Sequence, residues 1–205
     1  MGRLIGVFGG TFDPPHLGHL ILAEQAREAL DLERVLWVLT PKSPLKADGD
    51  RTPPDVRARM VEAAIADAPT FALSRVDLDR QPPYYAVGTL ERLRLGAPED
   101  SFVYLIGSDS LADLPRWHEP QRLVGLCAAI GVMQRPDHPL DLPALERVIP
   151  GLSAKVRAFP APLVEVSGRD LRARVASGRS IRYLVPDGVR RIIDADRLYR
   201  QPGAR

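Results

Sequence analysis

The stretch GGTFDPPHLGHL, residues 9–20, decides how this chain folds and where its chemistry lies. It follows the apolar run Leu4–Phe8, which is typical of a buried strand, and it precedes Leu20–Leu30, which has a helical pattern. The stretch therefore spans the passage from the carboxyl end of a strand to the start of a helix, where open α/β sheets bind ligands. Unpaired N–H groups and the helix dipole favour phosphate at such a place.

Short apolar runs alternate with helical patterns along the rest of the chain. The predicted strands are Leu4–Phe8, Val35–Leu39, Phe71–Ser74, Phe102–Ile106, Ala128–Met133 and Leu163–Val166. The predicted helices are Leu20–Leu30, Asp55–Ala66, Ala86–Leu95, Pro120–Leu123, Gly168–Ala176 and Asp187–Ile193. This alternation predicts an α/β fold of the Rossmann-like type, a doubly wound parallel sheet with helices on both faces. We expect a single domain, residues 1–205, whose C-terminal part from about residue 168 is helical.

Composition argues against nucleic acid and membrane partners and against a disulfide. The formal net charge of +2 gives no electrostatic case for nucleic acid. No apolar run has the length of a signal peptide or a membrane span, so we expect a cytoplasmic protein without a membrane partner. Cys127 is the only cysteine, which excludes an intramolecular disulfide, and its apolar surroundings predict a buried core residue. Composition leaves a homo-oligomer open.

His16 and His19 are candidate phosphate ligands. Gly9 and Gly10 let the backbone turn tightly and approach a ligand, and Gly18 leaves room between the two rings. Imidazoles at a helix start can donate hydrogen bonds to phosphate oxygens and stabilise the charge that develops in phosphoryl or nucleotidyl transfer. The alternative is that the pair caps a turn or binds a metal.

The stretch resembles the (T/H)xGH signature of the nucleotidylyltransferase superfamily, and its full form is similar to bacterial nicotinate-nucleotide adenylyltransferases. That resemblance implies transfer of AMP from ATP to nicotinate mononucleotide, with release of pyrophosphate, in NAD biosynthesis. It implies direct attack of the acceptor's phosphate on the α-phosphate, Mg²⁺ as the cofactor that accompanies ATP, and no separate protein-held metal. It also implies contacts to ATP from Gly9, Gly10, Thr11, Phe12, His16, Gly18 and His19.

The segment IGSDSLADLPRW, residues 106–117, resembles the family's G-x-D-S-L…W pattern. Gly107 and Asp109 are then expected at ATP, where the carboxylate would accept ribose hydroxyls or hold Mg²⁺ through water. Asp109 is alternatively a helix N-cap. The resemblance implies that Trp117 stacks on the pyridine ring; the alternative is a core or lid tryptophan.

The segment VSGRDLR, residues 166–172, resembles the family's I-S-S-T-x-I-R segment, which faces the triphosphate. Ser167 and Arg172 match, and Arg172 is expected to neutralise the leaving pyrophosphate as a catalytic residue. Gly168 and Arg169 depart from the pattern, so one or two hydroxyl contacts are lost. The alternative is an arginine-rich amphipathic helix whose charges are solvated.

Three further residues are expected at the mononucleotide because of the resemblance. Lys46 ends the proline-rich loop PKSPLK, although Leu45 stands where the family has a histidine. Thr89 matches the second threonine of the S-Y-T-x-x-T-L segment, while Ala86 replaces the first. Arg135 follows the fifth predicted strand and is expected to face a phosphate. Lys46 is alternatively a surface lysine, and Thr89 an interior helix residue.

The sequence is also compatible with other functions. The acceptor could be nicotinamide mononucleotide or phosphopantetheine, although His16 and the chain length argue against the latter. A fragment of a class I aminoacyl-tRNA synthetase shares an HIGH-like signature, but no KMSKS-like segment is present. The departures at Ala86, Gly168 and Arg169 also fit a catalytically silent nucleotide-binding regulator.

Overall fold

A six-stranded parallel sheet forms the centre of the structure, a computed structural model that describes residues 2–42, 52–134 and 141–200. The strands are β1 (Leu4–Gly10), β2 (Arg34–Leu39), β3 (Phe71–Ser74), β4 (Ser101–Gly107), β5 (Ala129–Met133) and β6 (Val156–Phe159). Their order is β3-β2-β1-β4-β5-β6, and every neighbouring pair is parallel. Strand order reverses between β1 and β4, which opens a crevice at their carboxyl ends. The predicted fold class is confirmed.

Helices connect the strands and cover the sheet. They are α1 (Leu17–Ala29), α2 (Pro54–Ala64), α3 (Ala86–Gly96), α4 (Ser108–Ala112), α5 (Pro120–Leu126), α6 (Leu142–Val148), α7 (Leu152–Lys155), α8 (Gly168–Ala176) and α9 (Asp187–Ala195), with a 3₁₀ helix at Leu114–Arg116. Residues of α1, α2, α8 and α9 share one core layer, whereas α3 and α5 belong to a second. The helix α9 packs on α2, which ties the C-terminal part to the first half of the chain.

The central strands are apolar on both sides because both faces are covered. In β4, Val103 and Leu105 point into the first core layer, while Phe102 and Tyr104 point into the second. Cys127 lies in the second layer, and burial raises the pKa of its thiol to about 12, so the thiol stays protonated. Its predicted place in the core is confirmed.

The last strand was predicted at the wrong place. The segment Leu163–Val166 is not a strand; β6 is Val156–Phe159, which pairs with β5 from Val156 opposite Ile130. As an edge strand β6 is buried only at its two ends, so it lacks the continuous apolar run of the central strands. Leu163, by contrast, is half exposed and follows Pro160 and Pro162, which interrupt strand pairing.

Candidate active site

The candidate site lies at the carboxyl ends of β1 and β4, the two strands that flank the reversal of strand order. β1 extends through both glycines to Gly10, and α1 begins at Leu17, three residues earlier than predicted. A Cβ at Gly9 would lie 2.8 Å from the Tyr104 hydroxyl, and one at Gly10 would lie 2.9 Å from the Phe12 ring. Both positions therefore require glycine for packing.

Phe12 shapes the turn between β1 and α1. Its backbone is in the left-handed region, at φ +45°, which costs a non-glycine residue roughly 1–2 kcal/mol. The side chain is buried among aromatic rings, with ring centroids 5.4 Å from Phe8, 5.0 Å from Trp37 and 5.1 Å from His19. This packing keeps the strained turn in place.

The two histidines lie stacked, with ring centroids 3.6 Å apart. His16 is the N-cap of α1 and His19 its third residue. The backbone N–H of His16 donates to Nδ1 of His19 at 3.1 Å, so a neutral His19 carries its proton on Nε2. The helix start thus fixes the tautomer of His19.

His16 is the more enclosed of the pair. Its side chain is buried, and burial lowers the pKa of its imidazole to about 4, so the ring is neutral at pH 7. Its Nδ1 is buried and finds no hydrogen-bond partner among the described residues. A Cβ at Gly18 would lie 3.2 Å from that nitrogen, so glycine there makes room for the ring, as expected.

The start of α8 joins the histidine turn at Asp13. Arg172 donates from Nη1 to the Asp13 carbonyl at 2.6 Å, and a Cβ at Gly168 would lie 2.8 Å from the same oxygen. Ser167 caps α8 by accepting the N–H of Asp170 at 3.1 Å, and its hydroxyl donates to the Asp170 carboxylate at 2.6 Å. The structure therefore brings Ser167 and Arg172 beside the histidine turn.

Asp109 belongs to the first turn of α4, directly after β4. A Cβ at Gly107 would lie 2.8 Å from its Oδ1, so the carboxylate folds back over the end of the strand. Gly107 is the N-cap residue and makes no side-chain cap, which leaves the cap reading of Asp109 without support. This places one carboxylate at the carboxyl end of β4.

Two aromatic side chains, Trp117 and Tyr85, lie near the start of α3. The Trp117 ring meets Tyr104 edge-on, with centroids 5.9 Å apart, and its Nε1 is buried without a hydrogen-bond partner among the described residues. Tyr85, the N-cap residue of α3, stacks on His118 at 4.0 Å. His118 itself is exposed.

Thr89 lies inside α3 and is buried. Its hydroxyl donates toward the Asp77 carboxylate, at 2.9 Å from Oδ1, and lies 3.2 Å from the Tyr85 carbonyl. Arg80 pairs with the same carboxylate at 2.8 Å. The hydroxyl is therefore occupied by the protein, and a direct contact with substrate stays a prediction. Lys46 and Arg135 lie outside the described residues.

Two site residues had no signal in the sequence. Tyr199 donates its hydroxyl to the Asp13 carboxylate at 2.6 Å, and burial beside that carboxylate raises the pKa of the phenol well above its ordinary value. Arg57, in α2, is buried to 1% exposure and donates 2.7 Å to the Thr11 carbonyl. Sequence reasoning missed Arg57 because an arginine inside a helical pattern is ordinarily interpreted as a solvated residue. It missed Tyr199 because that residue is 186 residues from its partner in the chain.

Residues 2–42, 52–134 and 141–200 hold no group of three or more His, Cys, Asp or Glu side chains arranged for a metal ion. In the same ranges, no helix has both the length and the apolar character that crossing a bilayer needs.

The parallel sheet, the strand-order reversal and the stacked histidines at its edge define a nucleotidyltransferase-type α/β protein. The chain belongs to the cytidylyltransferase-like family, whose sequence profile matches residues 7–174. The family resemblance predicted from the motifs is confirmed.

Similarity to named relatives covers nearly the whole chain. A probable nicotinate-nucleotide adenylyltransferase of Roseiflexus sp. (strain RS-1) is 44% identical over 96% of this chain and 98% of its own. One from Thermomicrobium roseum is 44% identical over 98% of this chain and 92% of its own. The structure of Plasmodium falciparum nicotinic acid mononucleotide adenylyltransferase complexed with NaAD has a TM-score of 0.76 at 18% identity, covering 96% and 97% of the two chains.

Proposed function

We propose that this chain transfers AMP from ATP to nicotinate mononucleotide, forming nicotinate adenine dinucleotide and pyrophosphate. The observation that carries the proposal is the stacked histidine pair at the strand-order reversal, in which the His16 N–H binds Nδ1 of His19 and so places the proton of a neutral His19 on Nε2. Two relatives at 44% identity, named for this reaction, support the same substrates. The chemistry is that of a small-molecule enzyme, and a lone buried cysteine fits the reducing cytoplasm.

The reaction needs alignment and charge neutralisation rather than a protein nucleophile. A phosphate oxygen of the mononucleotide forms a bond to the α-phosphorus of ATP, and the bond from that phosphorus to the bridging oxygen of pyrophosphate breaks. Negative charge grows on the non-bridging and leaving oxygens. His19 donates to this charge from Nε2, and His16 contributes as a neutral imidazole because its pKa is about 4.

Arg172 supplies charge beside the same turn, where it contacts Asp13. Its Nη1 is held by the Asp13 carbonyl, which fixes the guanidinium beside the histidine turn and leaves its planar fork available for two phosphate oxygens. Arg169, one turn earlier in α8, is exposed and makes no hydrogen bond or ion pair with another described residue. We assign it to the outer phosphates, where it offsets the lost serine and threonine hydroxyls.

The mononucleotide is assigned to the α3 side. The first turn of α3 presents backbone N–H groups to an anion such as the nicotinate carboxylate. Trp117 offers a ring for stacking beside it. Thr89 acts here through Asp77 and the Tyr85 carbonyl, which fix the start of α3. Lys46 and Arg135 complete the proposed set as phosphate contacts.

The residues fit Mg²⁺ in the way that nucleotide enzymes hold it. Magnesium keeps several waters and is bound by substrate phosphates with one or two carboxylates, so a cage of protein ligands is not required. Asp109 is the carboxylate that lies at the end of β4, while the Asp13 carboxylate accepts the Tyr199 hydroxyl. When bound, the ion neutralises phosphate charge, and Asp109 would orient it through water.

Pyrophosphate release tests the proposal. The chain is incubated with ATP and Mg²⁺ and with nicotinate mononucleotide, nicotinamide mononucleotide or phosphopantetheine in parallel. We expect release with the nicotinate substrate and a lower kcat/KM with the other two. A preference for the amide would overturn only the choice of acceptor. Release with none of the three would favour the silent regulator and overturn the enzyme.

A further inference from the structure

The buried Arg57 side chain contacts three separate segments of the chain, one of which is the turn after β1. Its Nη1 donates to the carbonyls of Thr11 at 2.7 Å and Thr40 at 3.0 Å. Nη2 donates to the Pro41 carbonyl at 2.7 Å and Nε to the Thr52 carbonyl at 2.8 Å. One buried guanidinium thus joins the turn after β1, the end of β2 and the entry to α2.

The bond to Thr11 fixes the direction of the next N–H group. The Thr11–Phe12 peptide is trans, so its N–H points opposite to its carbonyl. Because Arg57 holds the carbonyl from inside, the Phe12 N–H points away from Arg57, and no described residue accepts a hydrogen bond from it. An unpaired N–H at a glycine-rich turn before a helix is a donor suited to phosphate.

We propose that Arg57 is a positioning residue for ATP: it holds the Thr11–Phe12 peptide so that the Phe12 N–H faces the triphosphate. The proposal rests on ATP being the substrate, as proposed above. Phe12 has a strained left-handed backbone, and a peptide flip at such a residue would relieve strain while turning the donor away. The bond from Arg57 to the Thr11 carbonyl opposes that flip.

Arginine is needed here because of its shape. A planar fork can bind four carbonyls at fixed angles, whereas a lysine ammonium has three donors on a flexible stem. The charge also strengthens each hydrogen bond to a carbonyl and polarises the peptide behind it. Arg57→Lys therefore keeps the charge and loses the geometry.

Arg80 provides a matched comparison on the acceptor side. Its side chain is also buried, and it donates to the carbonyls of Pro83, at 2.5 Å, and Tyr85, at 3.4 Å, just before α3. It differs in being paired with Asp77. Arg94, which is exposed and donates 3.0 Å to the Leu126 carbonyl, supplies a control away from both substrates.

The test separates the two substrates. Kinetics of Arg57→Lys, Arg80→Lys and Arg94→Lys are measured with each substrate varied in turn, at a temperature where circular dichroism shows each variant folded. We expect Arg57→Lys to raise KM for ATP about tenfold or more and to leave KM for the mononucleotide within about twofold. Arg80→Lys should show the reverse pattern, and Arg94→Lys neither. Equal rises in both KM values for Arg57→Lys, or none, would overturn the proposal.

Two measurements on ATP alone keep the test independent of the acceptor, and the first, made on the wild-type protein, is also independent of variant folding. In the wild-type protein, adding a non-hydrolysable ATP analogue should move the Phe12 amide resonance strongly and slow its hydrogen exchange. An unchanged Phe12 amide in the complex would overturn the proposal. Calorimetric binding of the analogue to Arg57→Lys should be weakened about tenfold. If the wild type binds ATP but turns over no acceptor, the enzyme proposal fails while these two results still decide the role of Arg57.

Discussion

The starts of α1 and α8 meet at Asp13 and are built in opposite ways. The start of α1 is internal: Phe12 is buried at 1% exposure and His16 at 7%, and the orientation of His19 is fixed by a backbone N–H. The start of α8 is open: Arg169 and Asp170 are exposed, and the hydrogen bonds of the Ser167 side chain to described residues stay within its own turn. The candidate site thus has two halves. The start of α1 is the fixed half, in which packing holds the geometry, and the start of α8 is the open half, whose charged side chains can reorient.

This difference explains which half tolerates sequence change. The residues of the α1 start are set by packing, so glycines and aromatic rings cannot be exchanged freely. At α8 only Gly168 is similarly constrained, because a Cβ there would meet the Asp13 carbonyl at 2.8 Å. The departure from serine at Gly168 is thus required by close approach of the two helix starts, whereas Arg169 departs on an open surface.

The largest effect is expected at the fixed half. His19→Ala should lower kcat by about 10²–10³-fold, since one preorganised donor to developing charge is lost. His19→Gln should lose less, because glutamine at this helix position can accept the His16 N–H and still donate. Pyrophosphate release measures turnover, with thermal unfolding as the control for folding. Near-normal turnover of His19→Ala would make the residue structural.

Next in size is the pH dependence that His16 imposes on stability. Native His16 stays neutral down to about pH 4, whereas in the unfolded chain it takes up a proton near its ordinary pKa of 6.5. The unfolded state then binds more protons between these values, so the free energy of unfolding falls as pH falls from 6.5 to 4, by up to about 3 kcal/mol. Urea unfolding of the wild type and His16→Asn over this range measures the difference. Parallel curves for the two proteins would contradict the lowered pKa.

The junction between the halves is tested with two glycines. Gly168→Ala should lower the free energy of unfolding by about 1–3 kcal/mol, because the new Cβ meets a backbone oxygen that is itself held by Arg172. In Gly125→Ala the Cβ enters open space within α5, so stability should rise by about 0.5–1 kcal/mol. Denaturant titration measures both. Equal behaviour of the two variants would show that the helix starts can move apart at little cost.

The smallest effect belongs to the open half. Arg169→Thr restores a hydroxyl and removes a charge; we expect KM for ATP to rise about two- to fivefold at low ionic strength, and less in high salt, because an exposed charge is screened. Arg191→Thr, the same change on an exposed face of α9, is the control for net charge. Identical KM values for the two variants would remove Arg169 from the site.

Periodicity and motif spacing predicted most of the sheet because its central strands are buried on both faces. The edge strand Val156–Phe159 escaped prediction because its Arg157 and Ala158 are exposed, so it lacks the apolar run that revealed β3, the opposite edge strand. At the site, the motifs predicted where Asp109, Ser167 and Arg172 lie along the chain. They could not predict the bond from Arg172 to the Asp13 carbonyl, since a main-chain acceptor leaves no trace in residue identity.

Contacts between buried arginines and main-chain carbonyls are even harder to predict from sequence. Arg57 and Arg80 are each within a few residues of apolar positions, and nothing in their neighbours distinguishes them from the many solvated arginines of this chain. Their role depends on carbonyls that converge only in three dimensions. Thr89 is a milder case, because its partner Asp77 is 12 residues away but lies beyond a turn that spacing alone cannot orient.

The hydrogen bonds that Arg172 and Tyr199 make to Asp13 also bear on the order in which parts of the chain fold during biosynthesis. The histidine turn leaves the ribosome early, yet its Asp13 is secured by Arg172 and Tyr199, which follow 159 and 186 residues later. Contacts this distant in sequence close late, after the loop entropy between them has been overcome. A nascent chain that has already folded its sheet therefore still carries an unfinished site. We therefore expect nucleotide chemistry only after Arg172 and Tyr199 have reached Asp13.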